Sequence, residues 1–113
     1  MSILRFDDYQ IQAKETAIYP EKGELGGLLY CGLGLGEVGE IQGKIKKILR
    51  DDHGIVTQTH IIELRKELGD VLWYCAMLAD ELGCSLGSIA EDNLFKLKDR
   101  QKRNTLKGSG DNR

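Results

Sequence analysis

The sequence has 113 residues, 41% hydrophobic and 30% charged, with one proline and a net charge of −2. This composition fits one globular domain and excludes a disordered chain, and the charge balance predicts no nucleic-acid partner. The longest apolar run, from Val71 to Ala79, is too short to span a membrane, and three cysteines without a C-x-x-C pair argue against a disulfide scaffold.

The N-terminal part of the sequence contains no apolar stretch after a basic start, so we expect no secretory signal and a cytoplasmic location. Apolar residues at helical spacing then predict a short first helix that ends before Pro20; these residues are Phe6 or Tyr9, Ala13 and Ala17. Glycines cluster between Gly23 and Gly43, and the sequence predicts a break before residue 32.

Three longer helices are predicted from spacings of three and four residues between apolar positions. The first runs from Leu33 to about Arg50, where turn-forming residues follow. The second starts after a threonine cap, either Thr57 or Thr59, and ends before Gly83, a glycine suited to a left-handed conformation. The third begins after Ser85, its expected cap, and runs to about Leu106.

The predicted fold is therefore all-α. We expect a single domain over residues 1–107 and a disordered tail over residues 108–113. The segment from Val71 to Ala79 is apolar around its whole circumference, so it must be covered on more than one side. Either a partner chain covers it in a homo-oligomer, or it is a central core helix of one chain.

Two pairs of acidic residues have the three-residue spacing that places both side chains on one helix face. Glu37 and Glu40 form the first pair, and Glu67 and Asp70 form the second on the next predicted helix. Like charges at this spacing need a compensating cation or free exposure to water. If the two helices pack antiparallel, four carboxylates converge, and such an all-oxygen cluster suits Mg²⁺ that bridges to substrate phosphates.

Other kinds of site lack their residues. The two histidines, His53 and His60, form no Glu-x-x-His pair, so a di-iron site has no ligand set, and zinc lacks its nitrogen and sulfur donors. The glycine-rich stretch contains no Gly-Lys-Ser/Thr and follows no predicted strand, which argues against a phosphate-binding loop of that type.

The last predicted helix carries Asn93, Lys96 and Arg100 on one face. These side chains would suit the far phosphates of a polyphosphate, although taken alone such residues are more often ordinary surface residues. Trp73 and Tyr74 follow Asp70 by about one turn, where they would stack on a base or, as the common alternative, pack in the core.

Two segments carry a family resemblance: LGLGEVGEIQGKIKKILRDD and ELRKELGDVLWYCAMLADELGCSLGSIAEDNLFKLKDR. They resemble the MazG-type, all-α nucleoside triphosphate pyrophosphohydrolases, which are marked by E-x-x-E on one helix and E-x-x-D on the next, with N-x-x-K-x-x-x-R downstream. The likeness extends from about Gln12 to Arg103. Gly36 stands where some members carry a third acid, and Glu63 where some carry lysine.

The resemblance implies an antiparallel helical bundle completed by tight homodimerisation, often paired into tetramers. It also implies hydrolysis of a (deoxy)nucleoside triphosphate to the monophosphate and pyrophosphate, in nucleotide-pool house-cleaning. The four acids would hold Mg²⁺, or Mn²⁺ in its place, and one of them, such as Glu40, would accept a proton from the attacking water. The family's phosphate-binding positions match Asn93, Lys96 and Arg100, while Trp73 and Tyr74 match a helix near the base.

Two alternative hypotheses use the same residues. A phosphoribosyl-ATP pyrophosphohydrolase would share the fold and the chemistry but act on a different substrate. A non-catalytic helical oligomerisation or regulatory module would leave the acids solvated and bind a partner through the apolar helix. The second alternative predicts no stabilisation by Mg²⁺.

Overall fold

The computed structural model describes residues 3–111, and every regular element in that part of the chain is helical. The elements are α1 (Phe6–Lys14), α2 (Leu25–Gly34), a 3₁₀ turn (Leu35–Glu37), α3 (Val38–Asp51), α4 (Gln58–Glu81) and α5 (Leu86–Lys102). The predicted all-α class is therefore confirmed.

Helix α4 is the centre of the fold, because α1, α2, α3, the 3₁₀ turn and α5 all pack against it. Ala76 and Met77 are completely buried and Ala79 is nearly so. This half of the apolar segment is thus a core helix within one chain, which was one of the two explanations that the sequence left open. Earlier in α4, Leu68 and Leu72 remain 57% and 37% exposed.

Local signals in the sequence set the ends of α4 and the start of α5. The Thr57 hydroxyl accepts a hydrogen bond from the His60 amide, and the Ser85 hydroxyl accepts one from the Ser88 amide, as N-cap residues do. Gly83 follows α4 with φ of +73°, a conformation that costs glycine little. The predicted caps are confirmed, with Thr57 rather than Thr59 in the first position.

Helix α2 is the element that the sequence analysis missed. Its glycines lower helix propensity, but Cys31 is completely buried and Gly27 is buried against neighbouring residues. A Cβ atom at Gly27 would collide with the Glu21 carbonyl and the Glu81 carboxylate, so the glycine permits close packing. Tertiary packing therefore outweighs propensity here, and the predicted helix from Leu33 is divided between α2, the 3₁₀ turn and α3.

The outer helices end earlier than their apolar patterns predicted. Helix α1 stops at Lys14 although Ala17 is buried, and α5 stops at Lys102 rather than near Leu106. After α1 the core continues beyond the helix, because Ala17 and Tyr19 are buried, whereas Leu106 after α5 is 45% exposed. The predicted disordered tail includes Asn112 and Arg113, which lie outside the described residues.

One buried amide holds α1 against the rest of the molecule. The Gln10 side chain donates to the main-chain oxygens of Ala76 and Cys84, each at 3.1 Å, and accepts from the Leu86 amide at 2.9 Å. Gln10 thereby joins α1 to α4 and to the first turn of α5.

Within the described residues, no helix combines the length and apolar character needed to cross a membrane.

Candidate active site

Three acidic side chains meet where the 3₁₀ turn packs against α4. Glu37 closes the 3₁₀ turn, while Glu67 and Asp70 lie one turn apart on α4. One carboxylate oxygen from each residue lies within 4.8 Å of the other two, and Glu37 and Glu67 are half-buried. The two acidic motifs of the sequence are therefore brought together by contact between separate elements.

Glu40 stands outside this group of three, and its side chain is exposed. The spacing from Glu37 to Glu40 suggested one continuous helix face. In the structure, Glu37 belongs to the 3₁₀ turn and Glu40 to the first turn of α3, so the helical period changes between them.

The three acids have no basic partner in the part of the chain that is described. The ion pairs there involve other carboxylates, such as Glu63 with Lys44 at 3.8 Å and Asp80 with Lys14 at 3.2 Å. Three clustered oxygen ligands without a protein counter-charge fit a hard divalent cation such as Mg²⁺. The donor set is thus compatible with the metal that the acidic motifs predicted.

The acidic residues contribute to raised pKa values of two tyrosines, Tyr9 and Tyr74. Burial raises the pKa of Tyr9, and the nearby Asp70 carboxylate raises it further. Burial also raises the pKa of Tyr74, with additional contributions from Tyr30 and Glu37. Both phenols therefore stay protonated at neutral pH beside the carboxylates.

Aromatic rings form the wall of a pocket beside these acids. The pocket has a volume of about 290 Å³ and is lined by Glu37, Asp70, Trp73 and Tyr74. The Trp73 and Tyr74 rings meet edge to face with centroids 5.1 Å apart, and the Trp73 indole N–H donates to the Thr16 hydroxyl at 2.9 Å. The two aromatic residues singled out in the sequence thus lie at the acidic site, and Trp73 also packs against the core.

Sequence reasoning missed the residues that support this wall. Tyr19 stacks on Tyr30 at 5.5 Å and meets Trp73 edge to face at 6.4 Å, and Tyr30 lies 6.4 Å from Tyr74. The Tyr19 hydroxyl donates to Glu81 at 3.1 Å. Tyr30 lies in the unpredicted helix α2, so no periodic signal pointed to it.

Within residues 3–111, the cationic residues of α5 form no ion pair with the three converging acids. Asn93 is exposed, and Lys96 and Arg100 both bind Asp111. Helix α5 packs against α1 and α4, and in the described part of the chain it does not pack against the 3₁₀ turn that carries Glu37.

Comparison with known proteins places this arrangement in a family. The sequence profile of the MazG nucleotide pyrophosphohydrolase domain matches residues 24–105, a range that includes the three converging acids, Trp73 and Tyr74, and the cations of α5. The chain is 49% identical over 114 residues to the Gene 37 protein of Mycobacterium phage L5, covering 97% of this chain and 100% of that protein. No solved structure matches the chain. The protein therefore belongs to the MazG nucleotide pyrophosphohydrolase domain family.

Proposed function

We propose that this protein hydrolyses (deoxy)nucleoside triphosphates to the monophosphate and pyrophosphate, with Mg²⁺ as cofactor and Mn²⁺ as a substitute. The observation that carries the proposal is the group formed by Glu37, Glu67 and Asp70, which has no basic partner and opens onto an aromatic pocket. Membership of the MazG family supports the same reaction class. We further propose that this activity serves to cleanse the cytoplasmic nucleotide pool.

The acidic residues would hold the metal. Glu37, Glu67 and Asp70 offer the converging oxygens, and Glu40, on the first turn of α3, completes the proposed set as a further ligand or as the base that accepts a proton. When bound, Mg²⁺ supplies Lewis-acid polarisation of a phosphate oxygen and lowers the pKa of a bound water.

The aromatic residues would hold the base. Trp73 and Tyr74 line the same pocket as Glu37 and Asp70, so a base on these rings leaves the phosphate chain beside the acids. The hydrogen bond from Trp73 to Thr16 fixes the indole before substrate arrives. A base held in this way would gain stacking energy without reordering the wall.

The cations of α5 would hold the phosphates. Lys96 and Arg100 lie one turn apart on α5, and Arg100 offers a planar guanidinium suited to phosphate oxygens. Asn93 extends the same face by one turn. The acidic residues and the α5 residues would then bind opposite ends of one triphosphate.

We further propose that the functional unit is a homodimer or homotetramer. Helix α2 exposes a leucine at every fourth position, with Leu25 70%, Leu29 54% and Leu33 81% exposed. The radius of gyration is 17.1 Å, whereas a compact chain of 100 residues has about 13 Å. A second copy packed on this stripe would bury apolar surface that one chain leaves in water. Multi-angle light scattering is expected to give at least twice the chain mass of 12.6 kDa, and a monomer would contradict the proposal.

The reaction is tested by product analysis on the full chain. The protein is incubated with Mg²⁺ and a panel of canonical and modified nucleoside triphosphates together with phosphoribosyl-ATP, and the products are identified by ³¹P NMR. Pyrophosphate and monophosphate from nucleoside triphosphates support the proposal, whereas orthophosphate and diphosphate from every substrate would contradict it. Hydrolysis of phosphoribosyl-ATP alone would select that alternative.

A matched pair of variants connects the activity to the acidic group. E67Q removes one converging carboxylate, and E63Q makes the same chemical change one turn earlier on α4, where the carboxylate faces Lys44. Loss of an outer-shell partner already costs about 10- to 100-fold in metal affinity or activity, so E67Q should cost at least roughly 100-fold and E63Q little. Equal activity in the two variants would exclude Glu67 as a ligand.

A thermal melt separates the enzyme from a non-catalytic module. Mg²⁺ with a nonhydrolysable triphosphate at about 100 times its dissociation constant should stabilise the enzyme by about 2.7 kcal/mol. A non-catalytic module would show no shift in melting temperature. The E67Q variant in the same assay shows whether the shift depends on the acidic group.

A further inference from the structure

The chain reverses direction after α5 and returns along the cationic face of that helix. Asn104 has φ of +58°, and the Thr105 amide donates to the Arg100 carbonyl at 2.8 Å, the bond pattern of a left-handed helix end. Gly110, with φ of +84°, then turns the chain once more before Asp111. Residues 105–111, the C-terminal segment, thereby reach back to α5.

Asp111 binds both cations of α5, Lys96 and Arg100, at the same time. The Arg100 guanidinium donates from Nη2 to the Asp111 main-chain oxygen at 2.8 Å and to its Oδ1 at 3.4 Å. The Lys96 ammonium donates to the same Oδ1 at 3.1 Å. The arrangement holds the pKa of Asp111 below its usual value, with Lys96 as the largest cause and Arg100 next.

Burial differs sharply between the two sides of this contact. Arg100 is only 4% exposed, whereas the Asp111 side chain is 83% exposed. A buried guanidinium is a fixed element of the fold, while an exposed carboxylate contributes weakly because water and salt screen it. Arg100 is therefore enclosed by the chain, whereas the Asp111 carboxylate that pairs with it is open to solvent.

We propose that Asp111 competes from within the chain with phosphate-type anions for Lys96 and Arg100, the residues that the proposed function assigns to the substrate's phosphates. Carboxylate and phosphate oxygens are the same kind of charged acceptor, so a phosphate would take over the hydrogen bonds that Asp111 accepts. As the anion is taken to be the phosphate chain of the substrate, this inference rests on the proposed function. The competition raises the substrate concentration needed for binding, and it favours polyphosphates over singly charged anions.

The test measures binding of inorganic pyrophosphate to the full chain by isothermal titration calorimetry, at fixed salt and with EDTA to remove divalent cations. Three proteins are compared with the unmodified chain: D111N, a truncation after Lys107, and D99N. Asp99 pairs with Arg103 at 2.8 Å on the same end of α5, so D99N removes an equal charge without touching the Lys96 and Arg100 site. Since an exposed ion pair contributes about 0.2–1 kcal/mol, D111N should tighten pyrophosphate binding by a factor of about 1.4 to 5, and the truncation at least as much.

Three outcomes decide the matter. Tighter binding in D111N and in the truncation, with D99N unchanged, supports the competition, and K96A should then abolish the gain. Unchanged affinity in D111N would overturn it, and so would an equal gain in D99N, since that would reflect net charge alone. Calorimetry requires no turnover, so a protein that hydrolyses nucleotides normally but shows no gain refutes this inference and leaves the proposed function intact.

Discussion

Replacement of Gly34 by alanine should disturb the aromatic wall from behind. Gly34 is the last residue of α2, and a Cβ atom there would lie 2.7 Å from Cζ of Tyr74 and closer still to Cδ1 and Cε1 of the same ring. Ordinary contacts between carbon atoms are about 3.5–4.0 Å, so the ring must withdraw by roughly 1.5 Å. The backbone itself accepts alanine, because φ at Gly34 is −60°.

The change in the free energy of unfolding caused by G34A follows from two opposing effects. Overpacking of this kind costs about 1–3 kcal/mol, while alanine in a helix gains about 1 kcal/mol over glycine, so G34A should destabilise by about 0–2 kcal/mol. Gly32, half a turn earlier in α2, is the matched control, because nothing would contact a Cβ atom there within 4 Å. G32A should instead stabilise the protein by about 0.5–1 kcal/mol.

Thermal melts followed by circular dichroism, at one fixed protein concentration, compare the two variants. At about 4 °C per kcal/mol, G34A should melt roughly 4–12 °C below G32A. Nucleotide KM should rise in G34A only, since the displaced Tyr74 ring lines the pocket. Equal melting temperatures would refute the reasoning, and so would a G34A penalty that persists when Tyr74 is replaced by alanine.

Three further predictions concern residues in and around the site. E40Q should weaken Mg²⁺ binding less than D70N, because Glu40 lies outside the converging carboxylates; calorimetry without nucleotide measures both, and equal losses would contradict this ranking. T16V removes the hydroxyl that accepts the Trp73 indole hydrogen bond, at nearly constant side-chain volume. The nucleotide KM should rise severalfold with kcat little changed, and the fluorescence emission of Trp73, the sole tryptophan, should shift. An unaltered emission spectrum would refute the positioning role of Thr16. Burial raises the pKa of Tyr19. Above a pH of about 10 the folded chain therefore binds more protons than the unfolded chain, so the free energy of unfolding should fall as the pH rises further. Urea midpoints between pH 9 and 11 should fall less steeply in Y19F, and identical slopes would count against this cause.

Predictions from the sequence succeeded where the signal was local. The caps at Thr57 and Ser85 and the left-handed Gly83 depend on residues within one helical turn, so sequence alone was sufficient to place them. The spacing of Glu67 and Asp70 likewise placed both carboxylates on one face of α4, and the structure has them there. Short-range geometry of this kind depends little on the rest of the fold.

Predictions were incomplete where contacts between distant residues decide the outcome. Helix α2 forms despite its glycines, because Cys31 and Gly27 pack closely in the core. Its presence changes the helix that was predicted from Leu33 and leaves Glu40 outside the group that Glu37 joins. No local pattern reports such packing, since the partners are separated by tens of residues.

The sequence by itself determined the all-α class, the helical phases and the residue types available for a metal and a nucleotide. Only the tertiary structure decided that three of the four predicted acids converge, that two further aromatic rings support the wall of the pocket, and that Asp111 pairs with Lys96 and Arg100. The physical reason is range: periodicity follows from the repeat of one helix, whereas these contacts require burial and close approach between elements far apart in the chain.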